Sequence, residues 1–122
     1  MTFLYEDLSA KIIEAAFQVS NELGSGFLES VYQTAFAIVM DEKGLQVSQQ
    51  MPLPVFFHGK RIGNFCADYL VEGKIIVEIK AISGLLPEHQ AQVINYLKAS
   101  NVEIGLLINF GRPKIEYKRL HR

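Results

Sequence analysis

Apolar side chains recur along the first third of the chain at helical spacing. Leu8, Ile12, Ala15, Ala16, Val19 and Leu23 stand three and four apart, which predicts an amphipathic helix over residues 6–23. Gly24-Ser25-Gly26 breaks it, because glycine accepts the left-handed backbone at low steric cost. Val31, Ala35, Ile38 and Val39 then mark a second helix over about Leu28–Lys43, ended by Gly44. From there the period shortens to two. Val47, Gln49 and Met51 alternate with polar neighbours in a strand over 45–57, and Pro52 and Pro54 assign that strand to a sheet edge or a bulge. His58-Gly59-Lys60 turns the chain into Ile62–Val71, and Glu72-Gly73 turns it again into Lys74–Ala81. A helix over Pro87–Ser100, with Pro in its first turn, precedes strands over Glu103–Asn109 and Lys114–Leu120. The order is α-α-β-β-β-α-β-β, an α/β (α+β) arrangement with helices packed on a mixed sheet.

Side-chain alternation shows where this pattern is broken. On 75–81 the odd positions Ile75, Val77, Ile79 and Ala81 form an unbroken apolar face, while the even face carries Ile76, Glu78 and Lys80. Charges on a buried strand need a reason. On the preceding strand, alternation puts Phe65, Tyr69 and Val71 on one face and Asn64, Cys66, Asp68 and Leu70 on the other. A two-residue hairpin loop would carry the Asp68 carboxylate away from Glu78. A three-residue loop (Glu72, Gly73, Lys74) places the two opposite each other, and Gly73 suits its left-handed position. The longer loop is therefore expected. Two carboxylates about 4 Å apart repel by about 4 kcal/mol at an effective dielectric near 20. A proton, Lys80 or a bound cation must offset this, and a hard divalent metal held by oxygens does so best. The competing reading of Glu78 and Lys80 is an exposed cross-strand ion pair.

The helices add polar stripes. Glu29, Tyr32, Gln33 and Phe36 share one face of the second helix, and His89, Gln92 and Tyr96 one side of the third. Each tyrosine taken alone reads as a core residue with a satisfied hydroxyl, His89 as a surface first-turn residue, and Cys66 as a small strand hydrophobe.

Asp68, then Glu78-Ile79-Lys80 on the next strand, then Gln92-x-x-x-Tyr96 on a helix, resembles the PD-(D/E)XK nuclease superfamily, its exonuclease-like branch in particular. Gly26-Phe27-Leu28-Glu29-Ser30-Val31-Tyr32 is similar to the signature of the small GxxExxY group placed in that superfamily. Ala67 stands where the superfamily's name has Pro. The resemblance spans about Leu8 to Leu120 and implies a restriction-endonuclease-like core in one domain, residues 1–122. It implies a nuclease cutting phosphodiester bonds of nucleic acid, DNA before RNA. Mg²⁺ or Mn²⁺ would be held by Asp68, Glu78 and the Ile79 carbonyl, with Glu29 acting directly or through water. Lys80 would activate the attacking water, Gln92 would position a ligand or substrate, and Tyr32 and Tyr96 would support the site. The alternative is an inactive module of the same fold that binds nucleic acid or a partner protein.

Composition adjusts this picture. The apolar fraction of 49% and the charged fraction of 20% exclude a disordered chain, and a lone cysteine excludes a disulfide framework. No signal peptide or membrane span is read, so a cytoplasmic location is expected. Twelve Lys/Arg against thirteen Asp/Glu give a net charge of −1, which by itself disfavours nucleic acid. Yet residues 1–60 sum to −4 and residues 61–122 to +3, so the basic excess lies in the half bearing Asp68, Glu78 and Lys80. The 122 residues are expected to leave almost nothing for a separate recognition domain, and a homo-oligomer or an accessory protein is the expected source of specificity.

Overall fold

The computed structural model describes residues 4–122. Helix α1 spans Glu6–Leu23 and α2 Glu29–Glu42; strands β1, β2 and β3 span Val47–Phe57, Lys60–Val71 and Ile75–Lys80. Helix α3 (Pro87–Ser100) leads into β4 (Ile104–Asn109) and β5 (Glu116–His121). The five strands form one sheet in chain order, antiparallel throughout except for β3 and β4, which run parallel across the α3 connection. This is the expected mixed sheet, with β1 at an edge and a register shift between Val55 and Phe56 beside its prolines.

The sheet buries both faces. Ile12, Ala16 and Val19 of α1 and Phe36 and Met40 of α2 cover the face that carries Ile75, Val77 and Ile79. Val93, Tyr96 and Leu97 of α3 cover the other face, against Leu53, Ile76 and Leu107. Because β3 is covered on both sides, it reads as an almost continuous apolar run. Glu78, 5% exposed, is the charged exception.

The β2–β3 hairpin has the expected three-residue loop. Tyr69 pairs with Val77 and Val71 with Ile75, so the next position in register sets Asp68 opposite Glu78. Glu72 and Gly73 both have positive φ, and the Lys74 N–H donates to the Val71 carbonyl to close the turn.

One expectation fails. Phe65 does not share a face with Tyr69 and Val71: Phe65 and Ala67 pack on the α3 side, whereas Tyr69 and Val71 lie in the α1–α2 core. The reason is a kink. Gln50 has φ +52°, and no pairing joins it to Asp68 between the Gln49–Tyr69 and Met51–Ala67 pairs, so the alternation restarts at Asp68. Cys66 is also not a packed hydrophobe. It is exposed, its thiol lying 3.4 Å from Gln50 Oε1. No helix among the described residues is long and apolar enough to cross a membrane.

Candidate active site

The backbone ladder between β2 and β3 stops at Tyr69–Val77, and side chains replace it. The Asp68 N–H donates to Glu78 Oε1 at 2.9 Å, and the Ile79 N–H donates to Asp68 Oδ2 at 2.9 Å. Each carboxylate is thus fixed by a backbone amide on the facing strand. The strands form an open fork, and groups from both faces of the sheet reach it. In a strand, one residue's N–H and C=O point to the same edge, so the Ile79 carbonyl also faces the fork.

The electrostatics follow from this closeness. Burial, and next the neighbouring Asp68 carboxylate, push Glu78 up to about 8, with the Asp68 amide and Lys80 opposing. Glu29, at the start of α2, is raised by its partial burial and by Asp68, while Lys80 lowers it. Glu29 therefore stands within electrostatic reach at the rim. Among the described residues no three His, Cys, Asp or Glu side chains are preassembled around one point, so only Asp68 and Glu78 are brought together directly. Two carboxylates and a carbonyl still fit Mg²⁺, which keeps several waters and takes one or two carboxylates from the protein.

On the α3 side, burial first, then Glu78 and Asp68, push the Tyr96 phenol up to about 12, with the neighbouring Gln92 side chain opposing. His89 lies apart from the acids: its Nδ1 accepts the Leu86 N–H at 2.9 Å and caps α3.

Tyr32 supports the site from a distance. It is fully buried and stacks on Phe110 with ring centroids 5.0 Å apart. Its hydroxyl donates to the Gly24 carbonyl at 2.6 Å and accepts the Phe27 N–H at 3.3 Å. The tyrosine thereby staples the loop that delivers Glu29. Tyr32→Phe keeps the stack and removes both bonds, which lie beside exposed loop backbone. The expected loss is about 1 kcal/mol, or about 4 °C in Tm, read by thermal unfolding.

Two positions went unnoticed in the sequence. Tyr69 donates its hydroxyl to the Gln33 carbonyl at 2.5 Å, tying β2 to α2 directly behind Asp68; burial, then Asp68, Glu29 and Glu78, raise its pKa. Asn109 pairs with Lys80 in register and is fully buried. Its Oδ1 accepts the Ile82 and Gly111 N–H groups, and its Nδ2 donates to the Ile82 carbonyl and Glu116 Oε1, each at 3.0 Å. This uses the full capacity of the amide and fixes the chain two residues beyond Lys80. A Cβ on Gly111 would come within 2.1 Å of the Ile82 carbonyl oxygen, so only glycine fits there. A polar residue closing the apolar run 104–108 was the available signal.

Comparison with known proteins bears on the fold and the family. The solved structure "Crystal structure of SSO0001" matches with TM-score 0.60 at 19% identity, over 97% of this chain and 59% of that one. The likeness shows the fold, and this chain spans less than two thirds of that protein. Among curated proteins no match is found. Residues 6–120 match the profile of the PD-(D/E)XK nuclease superfamily, a stretch that runs from α1 through the Asp68–Glu78 fork and Lys80 to β5. The chain belongs to the PD-(D/E)XK nuclease superfamily.

Proposed function

We propose that this protein is a divalent-metal-dependent nuclease that hydrolyses phosphodiester bonds of nucleic acid, in a cytoplasmic setting. The observation that carries the reading is the fork, where two carboxylates, one of them buried, are held against each other with Lys80 two residues on. Neutral amide side chains could accept the same two backbone N–H groups without the repulsion, so the pair of charges itself has no structural use.

Asp68, Glu78 and the Ile79 carbonyl would hold the ion. Bound there, Mg²⁺ or Mn²⁺ would supply charge neutralisation at the phosphate and acidify a water. Lys80 then presents an ammonium to the phosphate oxygens and orients the attacking water. Gln92, one turn before Tyr96 on α3, offers its amide to the substrate or to a coordinated water. Glu29 acts from the rim through an intervening water, and Tyr69 and Asn109 keep Asp68 and Lys80 in place from behind.

One observation favours a second reading, a module that binds without turnover: Glu29 is not assembled with the other two acids. A cleavage assay over single- and double-stranded DNA and RNA decides between them. Products are expected with Mg²⁺ or Mn²⁺ and none in EDTA. Metal binding without hydrolysis of any of these substrates would overturn the nuclease reading in favour of the binding module.

A further inference from the structure

The β1–β2 hairpin is longer than the site requires. Pairing of β2 with β3 covers only Tyr69–Val71, so the hairpin from about Met51 to Ala67 projects as a two-stranded arm with no third strand. Its tip lies eight residues from Asp68 along β2, roughly 26 Å at strand rise. That tip is apolar and open: Phe56, Phe57 and Ile62 are 60%, 59% and 65% exposed. A clustered apolar surface of this kind marks an interaction site.

The tip is built. His58 stacks on one face of Phe57, with centroids 4.1 Å apart and planes 14° from parallel. Arg61 lies over the Phe56 ring, 5.9 Å from its centroid. Arg61 and Lys60 are the cross-strand partners of Phe56 and Phe57, so each ring has a cation beside it. The sequence contains no acidic residue between Glu42 and Asp68. Between the arm and α3 runs a groove lined by Val55, Ile62, Phe65, Asn95 and Lys98. Neither Lys60, Arg61 nor Lys98 forms an ion pair with a described residue. At its inner end Phe65 packs on Tyr96 at 5.4 Å, and Tyr96 feels the Glu78 and Asp68 charges. The Phe65–Tyr96 pair thus stands between the groove's inner end and the fork.

Exposed ring faces beside unpaired cations, with no acid among them, fit a polyanion whose flat groups can stack. Bases within a duplex hide their faces, whereas unpaired bases offer them. A second copy of this chain would set like charges against each other at the tip. We propose that the groove between the β1–β2 arm and α3 holds a single-stranded stretch of nucleic acid beside the scissile bond. Its bases stack on Phe57, on the groove's face of the arm, and on Phe56 where the strand passes over the tip to the other face; its phosphates meet Lys98 and Lys60 on the first face and Arg61 on the second. The inference deepens the nuclease reading of the site, but its test needs no turnover.

The test uses the full chain in EDTA, with fluorescence anisotropy of a labelled oligodeoxythymidine and of a duplex of the same length. The single strand is expected to bind more tightly. Phe56→Ala combined with Phe57→Ala should weaken it about 100-fold, roughly tenfold per lost stacking platform, with an unchanged circular dichroism spectrum. Lys60→Gln with Arg61→Gln should lower the slope of log affinity against log salt by about 1.4. Equal affinity for strand and duplex overturns the proposal, as does binding that neither pair of substitutions changes. So does a dimer, seen by sedimentation, that the phenylalanine substitutions dissolve. Intact binding without cleavage in Mg²⁺ would strike only the catalytic reading; cleavage with binding indifferent to the arm would strike only the groove.

Discussion

Lys80→Ala is expected to lower metal-dependent cleavage by about 10²–10⁴-fold while leaving affinity for Mn²⁺ within a few-fold of the unaltered protein. The magnitude follows from the role: an ammonium that stabilises developing phosphate charge and orders the attacking water is worth about 10²–10⁴. The split follows from the ligand set, because the two carboxylates and the Ile79 carbonyl would hold the ion and an ammonium cannot. Glu78→Gln should behave differently. It should abolish both cleavage and tight metal binding, because one of only two converging carboxylates is lost. It should also leave the fold intact, since a glutamine Oε1 can still accept the Asp68 N–H. The neutral amide removes the repulsion with Asp68 as well, so the variant should melt higher than the unaltered protein at pH 8. Single-turnover cleavage, calorimetric Mn²⁺ titration and thermal unfolding of both variants check this pattern. Cleavage by Glu78→Gln at the original rate would remove the fork from the chemistry.

These expectations rest on a register that the sequence carries openly. Gly73 requires a loop able to take positive φ, and the three-residue loop brings Asp68 opposite Glu78. The apolar odd face of β3 and the prolines of the edge strand were legible for the same reason, since each is a local pattern with a short-range cause. What escaped has a long-range or unmarked cause. The kink at Asp68 arises opposite Gln50, and glutamine gives no sign that its backbone will adopt φ +52°. The Tyr69 hydroxyl finds its partner in a backbone carbonyl 36 residues away, which leaves no side-chain signature. The Asn109 knot joins positions 27 residues apart, visible beforehand only as a polar residue closing an apolar run. In the GxxExxY stretch the spacing was legible and its division of labour was not: Glu29 faces the fork while Tyr32 turns away to hold the loop.

Without divalent ions the melting temperature should fall as pH rises from about 5 to about 8.5, by roughly 15 °C. An unfolded glutamate titrates near 4.5, whereas burial and Asp68 push folded Glu78 up to about 8. Between these values the native state holds a proton that the unfolded chain has released. Stability then declines with pH, since its slope follows protons bound in the unfolded state minus those in the native state. The contribution is complete below the unfolded value and is lost as pH climbs through the folded one. Glu29, also raised, acts in the same direction. Glu14 and Glu116, lowered by hydrogen bonds from Lys43 and Asn109 respectively, act in the opposite direction but only near or below the ordinary carboxylate range, outside this window. Each pKa unit corresponds to about 1.4 kcal/mol, so Glu78 supplies a change of a few kcal/mol, and a chain of this length loses about 4 °C per kcal/mol. Mg²⁺ at saturating concentration should reverse the decline, raising Tm strongly at pH 8.5 and hardly at all at pH 5, because the ion must displace the proton that Glu78 holds. Differential scanning calorimetry across pH, with and without Mg²⁺, reads the effect, and Glu78→Gln should flatten both the slope and the response to the ion. A Tm that stays level from pH 5 to 8.5 without metal would mean that the fork carries its two charges at no cost, and the physical case for a divalent ion there would fall with it.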